Sequence, residues 1–265
     1  MTDTPHQSLD WLSSILDILR VQCPWDRAQT VDSLRYLTIE EVYELSEAVL
    51  AKDFSEMRKE LGDLFMHLLF YSKIAADEQQ FTLSEVIDGI CRKLISRHPH
   101  ISLPDKEGRL QPATVDAKPE WEQVKMKEGR RSVLEGVPAT LPPLVKAVRM
   151  QEKVAGAGFR WGDEQQALGK VHEEYAELQE VLAQPADAPH RHERAEEEFG
   201  DLLLALVCWG NMQGLNADTA LSRANAKFQR RYLHVEDSAR AQGRQVADLP
   251  LADLLALWQE AKSQE

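Results

Sequence analysis

The stretch Glu173-Glu174-Tyr175-Ala176-Glu177 is followed, after a loop, by Glu198-Phe199-Gly200-Asp201, which runs directly into the apolar residues Leu202–Val207. Residues three or four apart share one face of a helix, so each segment predicts two carboxylates stacked on a helix face. Two such helices packed together would bring four carboxylates to one point. The predicted neighbours are Glu174, Glu177, Glu198 and Asp201.

Four carboxylates this close need a positive partner. At an effective dielectric near 20, two carboxylates ~5 Å apart repel by roughly 3 kcal/mol. The net stability of a domain is only about 5–15 kcal/mol, so an unneutralised cluster at the start of an apolar helix would strain the fold. An all-oxygen ligand set suits Mg²⁺, Mn²⁺ or Ca²⁺ better than zinc. The stretch therefore predicts a divalent metal site.

The bulk composition narrows the function classes. The chain has 265 residues, is 43% hydrophobic and carries a formal net charge of −13, which favours folded cores and argues against nucleic acid or an anionic membrane as main partner. Cys23, Cys91 and Cys208 are widely spaced and are predicted to be reduced packing thiols. The N-terminus lacks a signal-peptide pattern, and no apolar run reaches the length of a bilayer span. We expect a cytoplasmic protein.

The same pattern of helices and charges occurs twice. Apolar periodicity predicts an opening helix over Leu9–Leu19, a turn at Cys23–Asp26 and further helices as far as Arg97, and the second half repeats this order. The matched positions of the first half are Trp25, Glu40, Glu41, Glu44, Glu60, Asp63, Lys93, Arg97, Trp121 and Lys125; those of the second half are Trp161, Glu173, Glu174, Glu177, Glu198, Asp201, Lys227, Arg231, Trp258 and Lys262.

A chance Glu-rich helix would not repeat its basic and tryptophan positions as well, so the repeat indicates a duplicated domain. Gly, Pro and small residues near 130–143 predict a boundary, which we place between an N-terminal domain of residues 1–135 and a C-terminal domain of residues 136–265. No segment is predicted to form a strand, and the loop over Pro99–Pro119 is predicted to be irregular. The predicted fold class is all-α, with two tandem helical bundles.

Three uses of such a site remain open from the residues alone. A bound cation could clamp phosphates and activate water, and Lys170, Lys227 and Arg231 would give a triphosphate a basic rim. A carboxylate-bridged di-iron oxidase would need Glu-x-x-His, whereas both halves carry Glu-x-x-Asp and His67 lies one turn further on. A non-catalytic nucleotide-sensing scaffold is the third alternative.

Several motifs together closely resemble the MazG family of nucleoside triphosphate pyrophosphohydrolases, over nearly the whole chain. The motifs are Cys23-Pro24-Trp25-Asp26, Gln29-Thr30, Glu40-Glu41-x-x-Glu44, Glu60-Leu61-Gly62-Asp63, Arg97-His98-Pro99-His100, Glu173-Glu174-x-x-Glu177, Glu198-Phe199-Gly200-Asp201, Lys227–Arg231 and Trp258…Lys262. The resemblance implies a tandem all-α fold, a homodimer, Mg²⁺ (with Mn²⁺ as substitute) and cleavage of nucleoside triphosphates between the α and β phosphates to monophosphate and pyrophosphate.

The resemblance also implies roles for individual residues, with the C-terminal copy catalytic and the N-terminal copy structural or of divergent specificity. The implied metal ligands are Glu174, Glu177, Glu198 and Asp201, with a second set at Glu41, Glu44, Glu60 and Asp63. Glu173 is the predicted base, and the predicted substrate-binding residues are Lys170, Arg194, Lys227, Arg231, Trp258 and Lys262. In the first copy, Leu37 aligns with Lys170 and Glu56 with Arg194, so that copy lacks two of the basic groups.

Overall fold

The computed structural model describes residues 5–114 and 131–264 and divides the chain into two compact units, Met1–Lys118 and Pro119–Glu265. The described residues are overwhelmingly helical, which confirms the all-α fold class. The predicted helix around Trp121 and Lys125 lies outside the described residues. The predicted boundary between residues 135 and 136 stays a prediction. Lys153, which is buried, donates to the backbone carbonyl of Val133 at 2.9 Å, so both residues belong to the second unit.

The first unit contains five helices among its described residues. They are α1 (Pro5–Gln22), α2 (Pro24–Ala28), α3 (Val31–Ala51), α4 (Phe54–Asp77) and α5 (Leu83–Arg97). Helices α3 and α5 begin with capping boxes at Thr30 and Thr82, and Asp53 caps α4 by accepting from two backbone amides. These side chains satisfy amides that a helix N-terminus leaves unpaired, which fixes where the three helices begin.

Two local predictions for the first unit are wrong. The segment predicted as a turn at Cys23–Asp26 begins the short helix α2, since Pro24 fits the first helical position and Arg20 donates to the carbonyls of Asp26 and Gln29 at 3.1 Å. The loop predicted to be irregular contains two short antiparallel strands, β1 (Leu103–Pro104) and β2 (Leu110–Gln111). Asp105 accepts backbone bonds from Glu107 and Arg109 in the intervening turn, a local interaction that strand periodicity does not reveal.

The core of the first unit lies where α1, α3 and α4 meet. Its fully buried members are large side chains, and the partly buried Leu37 and Met66 pack against them. The buried residues are Leu16, Leu34, Leu69, Phe70 and Ile74.

The second unit also contains five α-helices among its described residues. They are α6 (Pro143–Gly156), α7 (Glu164–Leu182), α8 (Arg191–Met212), α9 (Ala217–Ala241) and α10 (Leu251–Ser263), with a short 3-10 turn at Val246–Asp248. Helix α7 packs extensively on α8, as α3 does on α4. Asp163 caps α7 and Asn216 caps α9, as their residue types predict. The buried core residues here are smaller, mainly Ala and Val, and include Ala167, Val171, Val181 and Val207.

Candidate active site

Helices α7 and α8 bring three of the four predicted carboxylates of the second unit together. Glu174 of α7 and Glu198 and Asp201 of α8 each offer a carboxylate oxygen, and these oxygens lie within 4.8 Å of one another. Glu174 is only 6% exposed, so its charge is poorly hydrated. The i, i+3 spacing of Glu198 and Asp201 places both on the helix face that meets Glu174, as the sequence predicts.

The fourth predicted carboxylate, Glu177, lies beside this group and is not one of its three members. Desolvation raises the pKa of Glu177, and the negative charges of Glu174 and Glu198 raise it further. The direction of the shift agrees with a position of Glu177 beside the carboxylates of the cluster. Its role as a metal ligand stays a prediction.

Lys170 supplies the positive charge at this cluster. Its Nζ lies 2.7 Å from Oε1 of Glu173 and 2.6 Å from Oε1 of Glu174, one turn along α7. Hydrogen bonds to these two carboxylates raise the pKa of Lys170 well above its usual value, so the ammonium stays charged at neutral pH. Glu173, the predicted base, is thus held by Lys170 and remains more than half exposed.

A cleft of about 630 Å³ opens beside these groups. Lys170, Glu174 and Asp201 lie in its wall, and α8 continues the wall through residues that are mostly apolar. The other lining residues come from α6, the segment before α7, α7 itself and α8; they include Gln151, Phe159, Arg160, Trp161, Ala167, Leu204, Ala205, Cys208, Asn211 and Met212. A cleft of this size is typical of a site for a small organic molecule.

Sequence reasoning did not assign a role in the site to Arg160, Trp161 or Asn211. The available signals were the segment Gly158-Phe159-Arg160-Trp161-Gly162, with aromatic and basic residues between glycines, and the polar Asn211 at the end of an apolar helix. Trp161 was matched to Trp25 only as part of the repeat. Because Gly158 adopts φ +98°, the chain turns sharply between α6 and this segment.

The remaining predicted substrate-binding residues do not line this cleft in the part of the chain that the structure describes. Arg194 of α8 donates to Gln184 at 3.4 Å. On α9 and α10, the guanidinium of Arg231 lies 5.8 Å from the ring of Trp258, which also packs on Phe228 at 5.1 Å between ring centroids. The structure therefore places one predicted pair together, away from the lining of the cleft. The substrate-binding roles of these residues stay predictions, as do the roles assigned to Lys170, Glu173 and the carboxylates; the residues away from the cleft lining are Arg194, Lys227, Arg231, Trp258 and Lys262.

The first unit carries an equivalent cluster. Glu41 of α3 and Glu60 and Asp63 of α4 offer oxygens within 4.8 Å of one another. Glu60 is 7% exposed, and its Oε2 is buried with no hydrogen-bond partner among the described residues. Desolvation is the largest cause that raises the pKa of Glu41, Glu44 and Glu60, and repulsion between the carboxylates adds to it.

The cations of the second copy are replaced in the first. The counterpart of Lys170 is Leu37, which packs against the core, and the counterpart of Arg194 is Glu56, which pairs with Lys59 at 2.5 Å. Both clusters consist of carboxylate oxygens, the ligands that hard divalent cations prefer. Their geometry and their excess negative charge fit a metal ion in either unit.

These observations define a tandem all-α protein with a duplicated carboxylate site, of which one copy opens into a ligand-sized cleft. The model of the MazG nucleotide pyrophosphohydrolase domain matches residues 29–102 and again residues 163–236. The chain belongs to this family.

Proteins of known sequence agree with that assignment. A nucleoside triphosphate pyrophosphohydrolase of Escherichia coli K12 is 34% identical over 264 residues, which are 97% of this chain and 98% of that protein. The Thermotoga maritima nucleoside triphosphate pyrophosphohydrolase/pyrophosphatase MazG is 35% identical over 95% of this chain and 94% of its own. The uncharacterized protein YabN of Bacillus subtilis is 40% identical over 92% of this chain, which matches 49% of that protein.

Proposed function

We propose that the second unit hydrolyses nucleoside triphosphates to nucleoside monophosphate and pyrophosphate with the help of Mg²⁺. The observation that carries the proposal is that Lys170, Glu174 and Asp201 line one cleft of about 630 Å³. A polyphosphate needs both a cation site and fixed positive charge next to a space for the nucleoside. Membership of the family supports the same chemistry, as does the activity for which the two full-length relatives are named.

Each group near the cleft has a task in this proposal. Glu174, Glu198 and Asp201 hold Mg²⁺, and Glu177 joins them from the edge of the cluster. Bound Mg²⁺, which Mn²⁺ can replace, would supply charge neutralisation of the phosphates and a more acidic water. Lys170 keeps its charge and lies where it can exchange a carboxylate for a phosphate oxygen. Glu173 is exposed next to it and accepts the proton of the attacking water.

The remaining cations complete the proposed site without lining the cleft. Arg194, Lys227 and Arg231 are assigned to the phosphates, and Trp258 and Lys262 to the nucleoside. A second copy of the chain or a closing movement would have to bring them to the substrate. We propose a homodimer, and the exposed apolar stripe Phe199, Leu203 and Leu206 on α8 offers a surface for it, repeated on α4 by Leu61, Phe65 and Leu68. Light scattering that gives twice the chain mass would support the dimer.

The proposed biological role is control or cleansing of the nucleotide pool in the cytoplasm. The net charge of −13 would repel nucleic acid and anionic membranes, so free nucleotides are the proposed partners. No described helix combines the length and the hydropathy needed to cross a membrane. The carboxylate-only clusters do not favour the di-iron alternative, whose pattern includes histidine ligands.

The test is product analysis with the full chain. With Mg²⁺, we expect ATP, GTP, CTP and UTP each to give one pyrophosphate for every nucleoside monophosphate formed. EDTA should stop the reaction. Asp201→Asn should reduce turnover at least 100-fold, because it removes a metal ligand. The matched variant Asp63→Asn changes the equivalent residue of the first unit and should leave most turnover intact.

Other outcomes would contradict specific parts of the proposal. Release of orthophosphate and nucleoside diphosphate would place the cleavage at the bond between the β and γ phosphates. Iron in the purified protein without any pyrophosphate release would favour the oxidase. If the melting temperature does not change when Mg²⁺ and a nonhydrolysable triphosphate are added, the nucleotide does not bind.

A further inference from the structure

We propose that Asn211 recognises the base of the nucleotide by donating a hydrogen bond to a carbonyl oxygen on the edge of that base. The inference rests on the proposed function, and it names the chemical class of substrate that the cleft prefers. That class is triphosphates of 6-oxopurines and 4-oxopyrimidines.

Asn211 lines the same cleft as the carboxylate cluster. Asp201 and Asn211 line the same cleft from the same helix, ten residues apart. A helix rises by about 1.5 Å per residue, so the two residues are separated by about 15 Å along α8. With the triphosphate held at Lys170 and Asp201, the nucleoside extends along α8 towards Asn211.

The wall of the cleft between Asp201 and Asn211 is mostly apolar. Leu204, Ala205 and Cys208 follow Asp201 along α8 and line the cleft. Such a surface accepts the flat faces of a base and offers little to its polar edge. Phosphates are drawn to the other end, where Lys170 keeps its positive charge. A neutral amide at the far end therefore fits a base edge better than a phosphate.

The side-chain amide of Asn211 has an unsatisfied hydrogen-bond donor. Its Nδ2 is buried and has no hydrogen-bond partner among the described residues. Buried donors are almost always paired, because an unpaired one loses its bonds to water. Nδ2 can only donate, so its natural partner in the cleft is an acceptor such as a ring carbonyl oxygen. Keto bases present that acceptor, and adenine presents an amino group at the corresponding position.

The experiment removes the hydrogen bond from either side. Inosine triphosphate and the triphosphate of purine riboside differ mainly by the 6-oxygen. We expect the wild-type protein to prefer inosine triphosphate in kcat/KM by roughly tenfold or more, since the site is built to bond that oxygen. In Asn211→Ala and in the nearly isosteric Asn211→Asp, which has no donor when ionised, the ratio should fall to near one. Gln213→Ala changes an exposed amide two residues further on, outside the cleft lining, and should keep the wild-type ratio.

Two results would overturn the inference. The first is a wild-type ratio near one, and the second is an equal loss for both substrates in the Asn211 variants, which would indicate a structural role. Melting temperatures identify a variant that fails to fold, and the wild-type comparison of the two substrates decides without any variant.

Failure of the proposed function would look different. If the wild-type protein releases no pyrophosphate from either triphosphate, hydrolysis is refuted and base recognition is measured by calorimetric binding of the two monophosphates. Tighter binding of inosine monophosphate, lost in Asn211→Asp, would still support the role of Asn211. Equal binding or no binding of both would refute it.

Discussion

The two units place the same carboxylates on the same helix positions and fill the space beside them differently. Counting along the helices from the matched carboxylates, Leu34, His67 and Phe70 of the first unit correspond to Ala167, Ala205 and Cys208 of the second. Leu34, His67 and Phe70 are at most 3% exposed, and two of them belong to the core cluster. Their smaller counterparts line the cleft, although Ala167 is itself only 1% exposed. We infer that the smaller side chains leave the space that forms the cleft.

The two clusters also differ in the positive charge beside them, which only the second unit carries at the position of Lys170. Lys170 neutralises part of the second cluster and stays available for a phosphate, while Leu37 at its counterpart packs into the core. In the first unit, three glutamates have raised pKa values. A duplicated motif can thus keep its metal ligands and lose the space and the counter-charge that a nucleotide needs. This difference is our reason for assigning the proposed hydrolysis to the second unit.

The largest expected effect concerns the packing that closes the first unit. Phe70→Ala removes a ring that is 2% exposed and should lower the free energy of unfolding of that unit by about 3–5 kcal/mol. The matched change Cys208→Ala should cost less than about 1 kcal/mol, because Cys208 lies at the wall of an open cleft. Urea unfolding and calorimetry of each variant measure both changes in the free energy of unfolding. Equal costs would show that the two positions are packed alike.

The second prediction fills the cleft with the side chain of the first unit. Cys208→Phe should lower kcat/KM for pyrophosphate release at least 100-fold, since the ring occupies the space proposed for the nucleoside. The cost in stability should stay near 1–3 kcal/mol, as for other overpacked sites. Cys208→Ser keeps the volume and should retain activity. An active Cys208→Phe enzyme with an unchanged melting temperature would place the nucleoside outside this cleft.

Sequence alone predicted the fold well because its signals are local. Apolar periodicity located the long helices, and the i, i+3 spacing of Glu198 and Asp201 predicted the helix face that carries the carboxylate cluster. Helix α2 was missed because its stability depends on Arg20, a contact from another helix. Strands of two residues are too short for periodicity to show.

The cleft was not predictable in the same way. From the sequence, an alanine such as Ala167 is predicted to be an ordinary core residue. Only the packing of its neighbours shows that a space is left beside it. Asn211 shows the same limit, because its unpaired amide exists only in three dimensions. The Lys227 to Lys262 group was predicted from the repeat and from the resemblance, and these signals carry no information about which cleft a side chain lines.

The third prediction gives the second cluster the side chain of the first. Lys170→Leu should lower kcat/KM roughly 10- to 100-fold, because it removes a fixed positive charge from the proposed phosphate site. Lys170→Arg keeps the charge and should recover part of the activity. A loss confined to KM would mean that Lys170 binds the ground state and the transition state equally. Full activity in Lys170→Leu would show that other cations neutralise the phosphates.

The smallest effect concerns how pH acts on the first cluster without metal. The pKa values of Glu41, Glu44 and Glu60 are raised above 4.5, so the folded unit binds more protons than the unfolded chain just above that pH. The contribution of these groups to stability is therefore lost as pH rises through the raised pKa values. Burial lowers the pKa of His67 from 6.5, and its contribution runs the other way, being lost as pH falls below 6.5.

Glu60→Gln separates the two contributions, because the amide keeps the shape and removes the buried charge. In EDTA, urea unfolding should find the variant more stable than the wild type at pH 7.5, with the difference shrinking towards pH 5. The matched variant Glu198→Gln should gain less, since Lys170 already neutralises part of the second cluster. With Mg²⁺ in excess, the wild type should recover stability at pH 7.5 and the variant should not, because the ion needs the ionised carboxylate. A gain from Glu198→Gln as large as that from Glu60→Gln would mean that Lys170 does not distinguish the two clusters electrostatically.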